Sequence, residues 1–113
     1  MHELSLSQSI IDLAVDAAAC EGLHRVSRVT VQVGVGAGVE TDALRFCFDA
    51  LAAQTPADGA ELVIIPVALR ARCRGCACDY APASLIAACP ACGSREKDLT
   101  AGRELRVKSI EGE

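Results

Sequence analysis

Apolar residues recur at three- and four-residue intervals over 4–21, where Leu6, Ile10, Leu13, Ala14 and Ala17 fall on one side of a helix. Ser5 with Gln8 offers a capping box, and Gly22 supplies a stop. The period then changes to two. Over 26–35, Val29, Val31, Val33 and Val35 alternate with Arg28, Thr30 and Gln32, which predicts a strand with one buried face. Gly34, Gly36 and Gly38 predict a flexible loop. The helical period returns over about 41–54, with Leu44, Phe48 and Leu51 on one side and Thr41 or Asp42 as cap. Thr55-Pro56 and Asp58-Gly59 mark a turn, and residues 61–67 (Glu-Leu-Val-Ile-Ile-Pro-Val) read as a second strand. Leu105 and Val107, set against Glu104, Arg106 and Lys108, predict a third strand over 103–110.

Residues 68–100 break the pattern. They hold too few large apolar side chains for a core of their own, and they hold most of the cysteines. The order is therefore helix, strand, helix, strand, insert, strand. This predicts an α+β fold: a small three-stranded sheet with two helices on one face, plus an inserted four-cysteine zinc-ribbon-like domain. The body is expected at 1–67 and 101–113, and the insert at 68–100.

Composition sharpens this picture. Of 113 residues only three are aromatic (Phe46, Phe48, Tyr80), so the core must be built from Val, Leu, Ile and Ala. A domain of this size has a thin stability margin, and a metal often supplements it. The net charge is −4 but unevenly spread: residues 1–66 hold nine acids and three bases, while 67–100 hold five bases and three acids. An acidic body argues against a general nucleic-acid binder. No apolar stretch is long enough to span a membrane, and no basic segment leads into an apolar run at the start. A cytoplasmic location is expected, where cysteine pairs hold metal more often than they form disulfides.

Cys73-x2-Cys76 and Cys89-x2-Cys92 are separated by twelve residues. Each pair can fold as a knuckle that aims two thiolates at one point. Gly75 and Gly93 ease the turns, and Pro90 stiffens the second. Four sulfurs in a tetrahedron suit zinc, and a closed set with no open position suits a structural role. Two disulfides or four free thiols are the competing reading, as is iron in a rubredoxin-like site. Iron sites of that kind pack aromatic rings around the metal, and this insert has only Tyr80. Cys78 reads as a spare thiol near the site, and Cys20 and Cys47 as small buried hydrophobes on helices. His24 follows Gly22-Leu23 in a turn and reads as a surface residue.

The chain opens Met1-His2-Glu3. A bulky second residue keeps the initiator methionine in place. The α-amine, the imidazole of His2 and the backbone amides of His2 and Glu3 could then surround a metal in a plane. A planar nitrogen set suits Ni(II) or Cu(II) and disfavours zinc. A solvated, frayed terminus is the plainer reading of the same residues.

Four stretches taken together carry a resemblance. They are Met1-His2-Glu3-Leu4-Ser5, Val-Glu-Thr-Asp-Ala-Leu-Arg-Phe (39–46), Cys-Pro-Ala-Cys-Gly-Ser (89–94) and Gly-Arg-Glu-Leu-Arg-Val-Lys-Ser-Ile-Glu (102–111). In this order the chain resembles the HypA/HybF family of hydrogenase maturation nickel chaperones. The resemblance implies a carrier, not an enzyme, that binds Ni(II) and helps load it into [NiFe]-hydrogenase. It implies Met1, His2 and Glu3 as the nickel site, with His2 the key ligand. It also implies Cys73, Cys76, Cys89 and Cys92 as ligands of a structural Zn(II). The implied partners are a HypB-type GTPase, the hydrogenase large subunit and a second copy of the chain, with no nucleic acid and no membrane. Arg70, Arg72, Arg74, Arg95 and Lys97 around the cysteines keep one competing function in view, a zinc-ribbon adaptor for protein or nucleic acid. No phosphate loop is present, because Gly34, Gly36 and Gly38 are not followed by Gly-Lys-Ser/Thr.

Overall fold

The computed structural model describes residues 2–113. Its elements in order are α1 (Glu3–Cys20), β1 (Val26–Gly34), α2 (Thr41–Ala52), β2 (Glu61–Val67), β3 (Arg70–Cys73), β4 (Asp79–Tyr80), β5 (Lys97–Ala101) and β6 (Leu105–Gly112). β1, β2 and β6 form one three-stranded sheet in the order β2-β1-β6, and β3, β4 and β5 form a second in the order β4-β3-β5. The fold is the expected α+β type, with the two helices over one face of the first sheet. The chain divides into two compact units. One comprises the residues up to Gln32, Gly38–Ile65 and Arg106–Glu113; the other comprises Val33–Ala37 and Pro66–Leu105.

The first unit is built on an aliphatic core with one aromatic. Ile11, Leu44, Phe48, Val26, Val29 and Val31 are all buried. The α1 stripe is rotated from the expected one. Ser7, Ile10, Ile11, Ala14 and Ala18 are buried, while Leu13 and Ala17 face solvent. Two helical stripes share Ile10 and Ala14, and periodicity alone does not choose between them. The choice is made by contact with α2, where the buried Ser7 hydroxyl donates to the Leu44 carbonyl at 3.1 Å. The capping box does not form. α1 starts at Glu3, a turn earlier than Ser5 would allow, so Ser5 Oγ instead donates back to the His2 carbonyl at 3.2 Å and Gln8 donates to Asp12. At the other end, Leu23 N–H reaches the Ala18 carbonyl (2.8 Å) and Gly22 N–H the Ala19 carbonyl (3.1 Å), which is a Schellman stop. α2 is capped by Glu40, not by Thr41 or Asp42; the Glu40 carboxylate accepts from Asp42 N–H at 2.9 Å.

Val29, Val31 and Val33 point inward as expected, but Val35 does not. The strand ends at Gly34, and Val35–Ala37 form a 3-10 turn that leaves Val35 exposed. The glycines here serve close packing. Gly36 N–H donates to the Gly102 carbonyl at 2.7 Å, and a methyl on Gly34 would lie 2.1 Å from that same oxygen. On the outward face of the first sheet, Arg28 pairs with Glu61 at 3.1 Å and Glu111 at 3.0 Å, tying all three strands together at the surface.

The second unit has strands where the sequence reading had none. β3 pairs antiparallel with β4 (Ala71↔Tyr80) and with β5 (Cys73↔Lys97). Its small core consists of Ala71, Cys73, Tyr80 and Cys89, with Cys78 and Leu99 packed against it. Two of the expected metal ligands are therefore also its core residues.

Candidate metal centre

The cysteine pairs fold as two matching knuckles. In the first, Cys73 N–H donates to the Cys78 carbonyl at 2.9 Å and Ala77 N–H to the Cys73 carbonyl at 2.9 Å. In the second, Cys89 N–H donates to the Ser94 carbonyl at 2.8 Å and Gly93 N–H to the Cys89 carbonyl at 2.8 Å. The residue after each second cysteine must adopt a left-handed backbone: φ is +62° at Ala77 and +78° at Gly93. The residue that relieves the first turn is thus position 77 rather than Gly75. Gly75 instead lies against the sulfurs, and its N–H donates to Cys73 Sγ at 3.3 Å. Ala77→Gly is expected to stabilise the unit by about 1 kcal/mol, since a left-handed conformation is costly for any residue with a Cβ. A higher denaturation midpoint for β3–β5 amide protection would show it; a lower one would refute it.

The four sulfurs converge. All lie within 4.8 Å of one another, with Cys73 Sγ to Cys92 Sγ at 3.5 Å and Cys76 Sγ to Cys89 Sγ at 3.7 Å. Zinc–sulfur bonds of about 2.3 Å in a tetrahedron require edges of about 3.8 Å, so the donor set fits that ion. Electrostatics point the same way. The Cys76 amide, together with hydrogen bonds from Cys92 and Gly75, brings the Cys73 thiol down to about 7 against the effect of burial. Burial opposes ionisation of Cys89, yet the Cys92 and Ala91 amides hold its thiol below the ordinary value. For Cys76 the largest single influence, the Cys78 amide, lowers the pKa. Burial and the neighbouring sulfurs outweigh it and push the thiol up to about 12. Cys92 is raised as well, its Ser94 amide being outweighed by Cys73 and burial. Four sulfurs this close cannot all carry charge by themselves. A divalent cation at their centre would offset that mutual repulsion.

The remaining cysteines are scattered. Cys78 is half-buried, with its thiol on the Asp79 carbonyl at 3.4 Å, outside the four-sulfur cluster. Cys47 is half-buried. Cys20 is exposed, contrary to expectation, because the last turn of α1 presents it outside the Ala14–Ala18 stripe. Of the surrounding bases, Arg74 is paired with Asp98 at 2.7 Å, and Lys97 donates to the Leu85 and Arg95 carbonyls at 2.9 Å each.

Met1 lies outside the described residues. His2 is exposed at the N-cap of α1, where its carbonyl accepts from Leu6 N–H at 2.9 Å. Glu3 is half-buried, and its carboxylate accepts from Glu40 N–H at 3.2 Å. That hydrogen bond is the main reason its pKa is lowered. His2 and Glu3 line a shallow cavity of about 490 Å³ with Leu4, Ser5, Ala43 and Cys47. The sequence reading did not foresee Glu40 or Cys47 beside this end, because the cap of α2 and its second turn reach it through tertiary packing. Tyr80 was legible only as the insert's one aromatic.

Four converging cysteines in a small α+β chain mark a metal-binding protein. The comparisons make the class specific. Residues 1–112 match the family described as hydrogenase/urease nickel incorporation, metallochaperone, hypA. The chain belongs to this HypA family of metallochaperones, and it is not an enzyme. It is 42% identical over 113 residues to the hydrogenase maturation factor HypA of Azotobacter chroococcum mcd 1, covering 100% of both chains. It is 41% identical over 110 residues to that of Chlorobaculum parvum, covering 97% of each. It is also similar to the solution structure of the Ni metallochaperone HypA from Helicobacter pylori, with TM-score 0.72, 25% identity and coverage of 99% of this chain and 97% of that one. A second solution structure of a HypA protein gives TM-score 0.74 at 26% identity, covering 99% and 96%. No described helix is long and apolar enough to cross a membrane.

Proposed function

We propose that the chain binds Ni(II) as cargo through Met1, His2 and Glu3 and delivers it to a [NiFe]-hydrogenase precursor, while Cys73, Cys76, Cys89 and Cys92 hold a resident structural Zn(II). The observation that carries this reading is the family match over residues 1–112, which includes the opening Met1-His2-Glu3. The functional domains are then a nickel-binding body at 1–67 and 101–113 and a zinc-binding insert at 68–100. The partners are a HypB-type GTPase, the hydrogenase large subunit and a second copy of the chain, all in the cytoplasm.

The start of α1 suits the cargo site. Backbone amides in the first turn of a helix have no intrahelical acceptor, and the α1 ladder begins only with Leu6 N–H on the His2 carbonyl. Metallation of the His2 and Glu3 amide nitrogens would leave the α1 ladder intact, while at Glu3 it would replace the bond that the residue's own carboxylate accepts from that N–H. The pairing of Arg74 and the internal bonds of Lys97 also favour this reading over a nucleic-acid adaptor, since these cations are already used.

Deleting the gene in a host that makes a [NiFe]-hydrogenase is expected to leave the large subunit without nickel and the enzyme inactive. Excess nickel in the medium should restore activity. Full nickel content in the deletion strain under nickel limitation would reject the proposal. A loss confined to urease would move the client without moving the carrier role.

A further inference from the structure

β5 is an edge strand. In the order β4-β3-β5 it has a neighbour on one side only. Its register shows which backbone groups face the open side. Arg74 N–H donates to the Glu96 carbonyl at 3.0 Å, and the ladder continues through Cys73↔Lys97, Arg72↔Asp98 and Ala71↔Leu99. Hydrogen-bonded and non-hydrogen-bonded pairs alternate in an antiparallel ladder. Arg72 and Asp98 therefore exchange bonds, while the amides and carbonyls of Lys97 and Leu99 point away from β3. The Leu99 side chain packs on the small core, which holds this edge in place.

A cavity of about 560 Å³ runs along that edge, within the second unit. Every residue of β5 (Lys97–Ala101) lines it, with Arg74, Arg103 and Glu104. Successive strand side chains point to opposite faces of a sheet, so a cavity touched by the whole strand lies beside it and not over one face. The charges around it are uneven. Arg74 and Asp98 neutralise each other at 2.7 Å, and the Glu104 carboxylate accepts from Gly102 N–H. Lys97 and Arg103 have no carboxylate partner among the described residues. Lys97 donates to the Leu85 and Arg95 carbonyls, which fix the ammonium without neutralising it. One uncompensated cation thus stands at each end of the open edge.

We propose that the β5 edge is a docking groove for an extended acidic segment of a partner protein, which joins the three-stranded second sheet as a further strand. Backbone bonds to Lys97 and Leu99 would set its register, and Lys97 and Arg103 would select its carboxylates. Only a polypeptide offers amides and carbonyls at the strand repeat, so a nucleic acid does not fit the edge. A second copy fits poorly, since pairing antiparallel about Leu99 would set its Arg95 opposite Arg103. The inference does not depend on which metal the N-terminus carries.

The test screens the metal-loaded full-length chain against two displayed libraries of short peptides with random centres, one flanked by glutamates and one by lysines. Ligands are expected from the glutamate library alone, with amide shifts on binding concentrated at Lys97 and Leu99. Methylating alternate peptide nitrogens, in one of the two phases, should abolish binding, because it removes the edge bonds and keeps the charges. Arg103 is exposed, so Arg103→Glu should keep the fold and weaken binding about tenfold. If that variant does not fold, salt decides: wild-type affinity should fall as salt rises, and an unchanged affinity overturns the inference. So do ligands from the lysine library alone, indifference to methylation, or shifts that map away from β5. A screen without ligands would leave β5 a guarded edge and overturn it as well. A single-stranded oligonucleotide or a second copy that shifts the same amides, where the acidic peptides do not, overturns it in favour of that occupant.

Discussion

Cys73→Ala is expected to strip the metal from the cysteine-rich unit and unfold it while the first unit's core stays intact. The side chain has two roles there. Cys73 is 2% exposed and belongs to the small cluster with Ala71, Tyr80 and Cys89. It is also one of four sulfurs that must converge to hold a metal. Structural zinc supplies on the order of 10 kcal/mol to small domains that cannot fold without it. A cluster of one aromatic, one alanine and two cysteines cannot replace that by burial. The first unit has no such dependence: Ile11, Leu44, Phe48, Val29 and Val31 form its interior without any ligand. Metal content should fall from one ion per chain to almost none. Amide protection should vanish along β3 and β5 and persist along α1 and α2. Retained protection in a metal-free Cys73→Ala protein would show that the strands hold themselves. If the variant stayed folded but lost nickel binding as well, the proposed separation of resident metal from cargo would be wrong.

His2→Ala is expected to weaken nickel binding at the N-terminus by about a hundredfold, with the fold unchanged. His2 is exposed and contributes to the fold through its carbonyl, which alanine also provides. What alanine lacks is the ring nitrogen. The amine and backbone nitrogens that remain cannot complete a planar set at the same place. Acetylation of the terminal amine should have a similar effect, which is why the measurement requires untagged protein. The amine and the imidazole bind only when unprotonated, so acidification should release nickel. Calorimetric titration of both proteins checks this. Equal affinities would place the cargo site elsewhere.

Much of the fold was legible in the sequence because its signals are local. β2 runs over the expected 61–67, α1 and α2 shift by one or two residues at their ends, and Gly22 stops α1. Alternation in β1 identified its buried valines up to Val33. The errors lie where a remote partner decides. Two helical stripes on α1 were equally periodic until Ser7 met Leu44. Val35 continued the alternation, yet the backbone turns at Gly34, where Gly102 comes close. The insert's strands are short and carry little apolar pattern, so their pairing followed from the knuckles they join and not from periodicity.

The sequence by itself singled out the four cysteines that the structure brings together. Cysteine spacing is a covalent property, and a Cys-x-x-Cys pair is short enough to aim both thiols at one point. The opening Met1-His2-Glu3 likewise stands in the sequence as a set of nitrogens one peptide apart. Only the tertiary structure decided how the pairs meet. It turned separated knuckles into one set of sulfurs all within 4.8 Å of one another. It also packed Tyr80 with Ala71, Cys73 and Cys89, and brought Glu40, the N-cap of α2, and Cys47 of α2 beside the first residues of α1. Spacing along a chain fixes which atoms are available. Packing fixes which of them come close enough, and dry enough, to act on one another.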